Sequence, residues 1–208
     1  MKQLTEDTSW LTAAVGAHCY WLDDGDRVAL IDPGMKIGLN RVAKELRAAG
    51  RSPYEVTDIL LTHYDIDHTG AAAEWQRRTG ARTWLGAEDA AILTGAAPPP
   101  STFFRQLSGA IMHVELPGNI QLIEGDEELW PGLKALHTPG HTPGHHSFGH
   151  GNVLFVGDTG TADAAGLKPM RSLLMSDPMQ GLADLARLGA QGAEWVCCGH
   201  SDPVRYRS

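Results

Sequence analysis

Four side chains that readily bind metal ions fall within six consecutive residues: His63, Asp65, Asp67 and His68. Imidazole nitrogen and carboxylate oxygen are both ligands for divalent cations, and two carboxylates held so close repel each other unless a cation organises them. An apolar run with β character, Val56 to Leu61, leads into the stretch, and Gly70 closes it. If the backbone stays extended, alternate side chains share a face. His63, Asp65 and Asp67 then point one way, and His68 turns toward a second point. The stretch reads as one half of a two-metal site, so the remainder of the chain must supply the other half.

Three further places offer it. His141 and His145 stand four residues apart in a loop stiffened by Pro139, Gly140, Pro143 and Gly144. Asp158 follows the apolar run 152–156, and His200 follows Trp195 to Cys198. Each sits where a predicted strand gives way to a loop, the usual place for open sites in mixed folds. Of ten histidines, seven (63, 68, 137, 141, 145, 146 and 200) lie in three short clusters. His137, His145 and His146 read as structural, holding loops by hydrogen bonds. Tyr64 packs away between ligands, and Cys198 is a buried thiol of the last strand.

The elements that must position these groups follow from periodicity and breakers. Runs at 10–15, 19–22 and 27–31 predict strands, with a hairpin turn at Asp23 to Asp26. Residues 37–49 carry apolar side chains at helical spacing (Leu39, Val42, Ala43, Leu46) and stop at Gly50. A strand at 56–61, a helix at 71–78, a strand at 82–85 and a helix at 87–93 come next. Gly95, Pro98, Pro99 and Pro100 deny regular hydrogen bonding to the following stretch, and Phe103 and Phe104 make it a candidate lid or pocket wall. Strands then recur at 120–123, 132–136, 145–149 and 152–156, with a loop at 160–176 containing Arg171, Ser172 and Ser176. A helix at 182–188 precedes the last strand. Strand-rich halves with helices predict an α/β fold, an αβ/βα sandwich of two sheets with helices outside.

In this order the motifs strongly resemble those of the metallo-β-lactamase superfamily of binuclear metallohydrolases. The resemblance runs from Leu30-Ile31-Asp32-Pro33-Gly34 to Gly199-His200. The family's first motif reads His-x-His-x-Asp-His, where this chain has His63-x-Asp65-x-Asp67-His68; Pro139-Gly140-His141, Gly157-Asp158 and Gly199-His200 match later ones. The resemblance implies a four-layer αβ/βα sandwich of two mixed β-sheets. It implies one divalent ion held by His63, Asp65 and His141, a second held by Asp67, His68 and His200, and Asp158 bridging them. It makes Asp32 a supporting acceptor behind the ligands and Asp67 a catalytic group that orients a bridging hydroxide. Position 65 departs from the pattern, which commonly places His there. Three ionised carboxylates against two divalent ions leave one net positive charge where the common pattern leaves two, and oxygen ligands suit harder ions. Zn²⁺ leads, with Fe or Mn as alternatives.

Length and composition bound the rest. A chain of 208 residues, 42% apolar and 20% charged, fits one globular domain spanning 1–208. A net charge of −8 points away from nucleic acid. Apolar runs fall far short of the ~20 residues that span a membrane. The first residues lack the apolar core of a secretory signal, and three cysteines make no disulfide framework, so a cytoplasmic location is expected. The expected activity is metal-dependent hydrolysis of a small ester-type substrate, a thioester or a lactone. The chain ends eight residues after His200, without the C-terminal helical domain of long glyoxalase II enzymes, which places lactonase-like and short thioesterase-like activities level. An iron-dependent oxygenase or diiron oxidoreductase is the second class, and a weakly catalytic metal-binding or ligand-sensing protein the third. The expected partner is a small molecule, with a homodimer compatible. Residues that choose the substrate are expected in 95–113 and 160–176.

Overall fold

The computed structural model describes residues 1–100 and 114–206. Phe103 and Phe104, with most of the expected lid, lie outside the described residues. The chain divides into two compact units.

The first unit takes in Met1–Leu61, Asp65–Leu85 and Val114–Gln121. Its strands are β1 (Lys2–Gln3), β2 (Thr8–Leu11), β3 (Cys19–Asp23), β4 (Val28–Ile31), β5 (Asp58–Leu60) and β6 (Arg82–Gly86), and β7 (Ile120–Ile123) completes a seven-stranded sheet in sequence order. Pairing is antiparallel from β1 to β4 and parallel across β4, β5 and β6. Parallel neighbours need a crossover, and α1 (Leu39–Ala48) supplies the one from β4 to β5. It buries Leu39, Val42, Ala43 and Leu46, the stripe that predicted it, after a 3₁₀ turn at Lys36–Gly38. The turn α2 (Ile66–Thr69) and the helix α3 (Ala72–Thr79) connect β5 to β6. At the amino end of β5, buried Asp58 accepts hydrogen bonds from Trp84 Nε1 and Thr57 Oγ1, each at 2.8 Å, and pairs with Arg82 Nε at 3.1 Å.

The second unit takes in, among the described residues, 62–64, 86–100 and 122–206. After α4 (Ala87–Leu93) come β8 (Glu127–Trp130), β9 (Leu133–His137), β10 (His146–His150), β11 (Val153–Gly157), β12 (Gly160–Asp163) and β13 (Gly166–Pro169). The helix α5 (Pro178–Gly189), β14 (Trp195–Cys198) and β15 (Val204–Arg205) complete it. Six of these strands form a sheet in the order β15-β14-β11-β10-β9-β8, with only the β11–β14 pair parallel and α5 in the crossover between them. Asp177 caps α5, accepting from the N–H groups of Met179 and Gln180, and Pro178 opens its first turn. All five residues of β11 are buried, and Leu154, Val156, Leu188, Val196 and Cys198 pack into one apolar cluster.

Three expectations change. The stretch 160–176 is not simply a loop: it opens with the β12–β13 hairpin and ends in a 3₁₀ turn at Ser172–Leu174. Strand β8 appears where acidic Glu127 and Glu128 concealed it, both side chains being exposed. The first long strand begins at Thr8 and ends at Leu11, rather than reaching Val15. The mixed sheets with helices are those of the α/β class expected. No helix among the described residues is long and apolar enough to cross a membrane.

Candidate metal centre

The backbone of the opening motif is not extended. β5 ends at Leu60, a bend follows, and Asp65 (φ −63°, ψ 140°) stands at the N-cap of the helical turn α2, which carries Asp67 and His68. The alternation argument therefore fails at residue 65, because helical residues project about 100° apart rather than about 180°. The separation of Asp67 from His68 comes instead from the turn.

Within the first unit, Asp65, Asp67 and His68 are fixed by backbone bonds. The carbonyl of Asp65 accepts from the N–H groups of His68 and Thr69, each at 3.0 Å, and the Asp67 carbonyl accepts from Ala17 N–H at 3.0 Å. The His68 carbonyl accepts from Gly34 N–H at 3.1 Å. Asp32, at the carboxyl end of β4, places Oδ2 2.9 Å from His68 Nδ1. It is the one non-glycine with positive φ (49°) among the described residues, a strained conformation that the surrounding structure must hold. Such a carboxylate fixes the tautomer, with Nδ1–H donating to Asp32 and the lone pair on Nε2. His68 Nε2 lies 3.9 Å from Asp67 Oδ2.

Within the second unit, topology gathers His63, His141, Asp158 and His200. β11 and β14 are parallel neighbours with Gly157 opposite Cys198, so the residues leaving their carboxyl ends, Asp158 and His200, emerge side by side. Asp158 Oδ2 lies 3.3 Å from His200 Nε2 and 3.7 Å from His141 Nε2. The His63 and His141 rings stand edge to face, 4.6 Å between centroids. His63, His141 and Asp158 are buried, and His200 is more open. Thr62 Oγ1 lies 2.9 Å from His63 Nδ1, which directs Nε2 to the far side of the ring.

His145 holds this group from behind. Its Nε2 accepts from the Asp158 N–H at 3.2 Å, so its proton sits on Nδ1, 2.8 Å from Thr138 Oγ1. Burial pushes this imidazole well below its usual range, and neighbouring His63 and His141 add to the effect. It is a neutral strut. Gly157 makes the approach possible: with φ 51°, a Cβ there would meet His145 Nε2 and Thr62 Cβ at 2.7 Å.

The donor set of each unit suits divalent ions. Ligand atoms at 2.0–2.1 Å from a tetrahedral ion stand about 3.3 Å apart, and the two Nε2–Oδ2 separations around Asp158, 3.3 and 3.7 Å, lie near that edge length. They are long for charge-assisted hydrogen bonds, which close to about 2.7–2.9 Å.

Two buried carboxylates near the candidate ligands escaped the reading of the sequence. Asp89 on α4 and Asp184 on α5 are both buried. Asp184 Oδ2 accepts from Gly140 N–H at 3.0 Å, beside His141. A signal for it existed: Gly181, Asp184, Leu185 and Leu188 form the buried stripe of α5, so an acid occupies a core position. Asp89 offered none, since an acid in a first helical turn ordinarily answers the helix dipole. His137 and His146 are structural as expected, donating toward or facing loop carbonyls at Pro143, Gly144 and Gly125. Cys198 is buried, and desolvation raises its thiol to about 12.

Residues 13–200 match the family model of the metallo-beta-lactamase superfamily. Among curated relatives, "Probable metallo-hydrolase YybB" of Bacillus subtilis (strain 168) is 25% identical over 92% of this chain and 84% of its own length. "Probable metallo-hydrolase YqgX" of the same organism is 30% identical, covering 76% of each chain. A hydroxyacylglutathione hydrolase of Xanthomonas campestris is 28% identical over 86% of this chain, which spans 57% of that relative's length. Among solved structures, a metallo-beta-lactamase family protein from Thermus thermophilus superposes with a TM-score of 0.74 at 22% identity, over 98% of this chain and 76% of that one. TTHA1623, solved in a di-iron-bound form, superposes with a TM-score of 0.69 at 26% identity, over 91% of this chain and 89% of that one. With the strand-end histidines and aspartates already in place, these matches lead to one conclusion: the chain belongs to the metallo-beta-lactamase superfamily, as a metallo-hydrolase.

Proposed function

We propose that the protein hydrolyses a small thioester or lactone at a centre of two divalent ions. His63, Asp65 and His141 would hold one ion and Asp67, His68 and His200 the other, with Asp158, beside His141 and His200, as a further carboxylate ligand. The observation that carries this reading is the convergence of His141 and His200 on one oxygen of Asp158. Chain continuity supports the rest, because residues 63 to 68 are too few to separate their side chains widely. At ~3.8 Å between successive Cα atoms, His63 and Asp65 cannot be more than about 7.6 Å apart along the backbone.

Two such ions supply Lewis acidity and lower the pKa of water from ~15.7 to ~7. The chain's own residues do the orienting. Asp67, half-buried on α2, would accept the proton of the attacking water. Asp32 holds His68 in its ligand tautomer, and His145 holds the backbone of Asp158. Water adds to the acyl carbon, the C–S or C–O bond breaks, and the expelled thiol or alcohol takes the proton. The hydroxyacylglutathione hydrolase relatives favour the thioester, since a hydroxyacylglutathione is an S-acyl ester, although this chain spans 57% of their length. Asp65 adds an oxygen ligand, and the di-iron form of TTHA1623 supports iron beside zinc as the resident ion.

Elemental analysis of purified protein together with a panel of thioesters and lactones tests the reading. Two ions per chain and turnover abolished by EDTA are expected. Metal-replete protein that cleaves none of the panel overturns it, and oxygen consumption by an iron-loaded sample moves the assignment to oxidative chemistry.

A further inference from the structure

We infer that Asp89 is a positioning residue that sets the distance between His63 and His141, and so tunes one of the two ions selectively; the inference rests on the metal-centre reading above. Its carboxylate is buried and accepts hydrogen bonds from two separate ligand-bearing segments. Oδ2 receives the N–H of Tyr64 at 3.0 Å and the hydroxyl of Thr142 at 2.7 Å, and Oδ1 receives the N–H of Gly144 at 2.7 Å. Tyr64 directly follows His63, and Thr142 directly follows His141. One carboxylate on a short helix thus clamps the backbone beside both imidazoles, whose rings lie 4.6 Å apart.

The close fit is built in. A Cβ at Gly144 would meet Asp89 N at 2.4 Å and Asp89 Cβ at 2.9 Å, so only glycine lets this loop reach α4. A carboxylate is the one common side chain able to accept all three donors at once, since it has two acceptor oxygens and no proton to place. Asparagine would turn an NH₂ toward one donor, and alanine would leave three buried donors without an acceptor, two of them backbone. Asp67, His68 and His200 receive nothing from Asp89 among these three bonds. Loss of the clamp therefore falls mainly on the ion assigned to His63, Asp65 and His141, and reaches the other only indirectly, through Gly144, His145 and Asp158.

Stepwise titration of metal-free protein with Co²⁺, followed by visible absorption and calorimetry, reads this out. Wild type is expected to take up two equivalents in resolvable steps. Asp89→Ala is expected to weaken one step about 10- to 100-fold, the range for groups that orient ligands from behind, and to shift only that step's d–d spectrum. Thr142→Val, which removes a single bond and keeps the loop's shape, is expected to weaken the same step by less, and it preserves the test if Asp89→Ala does not fold. Two steps weakened equally, or neither weakened in both variants, overturns the role of Asp89 while leaving the metal centre standing. Wild type that binds no Co²⁺ overturns both.

Discussion

The two units assemble their candidate ligands in opposite ways. In the first, Asp65, Asp67 and His68 lie within four residues, and a single helical turn sets their spacing. In the second, His63, His141, Asp158 and His200 are brought from across the chain, and the spacing belongs to the sheet: parallel β11 and β14 end together, and loops tied to α4 and α5 deliver His141. Local assembly needs little support, here chiefly Asp32 and four backbone bonds. Long-range assembly needs more, and the second unit accordingly surrounds its ligands with buried Thr62, Thr138, Asp89, His145 and Asp184. Tolerance to substitution around the ligands should differ between the units for that reason.

The largest effect tests whether the scattered group is a functional site at all. His200→Ala or Asp158→Ala removes a contact of the convergent trio, and thioester or lactone turnover should fall well over about 100-fold, since the ~9-unit depression of the water pKa depends on bound metal. Circular dichroism should remain unchanged. Turnover within a few-fold of wild type would dissolve the proposed site. Next, Asp32→Ala removes the carboxylate that meets His68 Nδ1 and should weaken metal uptake about 10- to 100-fold. Unchanged affinity would show that backbone bonds alone suffice in the first unit. A smaller effect, of another kind, belongs to Asp58 at the amino end of the same parallel strands. It meets Arg82, Trp84 and Thr57, so Asp58→Ala should cost about 1–3 kcal/mol of stability, because the half-exposed arginine can hydrate. Metal stoichiometry should hold at wild-type values. A denaturation midpoint that does not move would make that network ornamental.

The legible part of the candidate site was the part written in residue types near strand ends. His63, Asp65, Asp67, His68, His141, Asp158 and His200 all carry atoms able to bind a metal, and the stripe Leu39, Val42, Ala43, Leu46 announced α1. The backbone of 62–69 was not legible, because a short bend before a one-turn helix leaves no periodicity to read. Nor was β8, half of whose side chains are acidic and exposed and whose strand character comes from pairing with β9. Asp184 at least showed as an acid on the buried stripe of α5, whereas Asp89 was hidden for a physical reason: its partners, the Tyr64 and Gly144 N–H groups and the Thr142 hydroxyl, lie tens of residues away, which composition and local spacing do not encode.

The smallest expected effect concerns pH, and it too separates the units. Burial pushes His145 well below the usual imidazole range and His146 below it also, and both lie in the second unit. In the unfolded chain each titrates near its ordinary value of 6.5. Above that pH both states are neutral and the full stability is present. As pH falls below it, the unfolded chain takes up protons that the folded unit refuses, so stability declines toward each lowered folded-state value. The slope is at most about 1.4 kcal/mol per pH unit for each histidine. Urea midpoints at pH 7.5 and 5.5 measure it, with His146→Phe as the comparison. That variant leaves the strut at Asp158 intact, so its midpoint should fall less steeply on acidification than wild type. An equal or steeper fall would remove His146 as a source of the acid sensitivity.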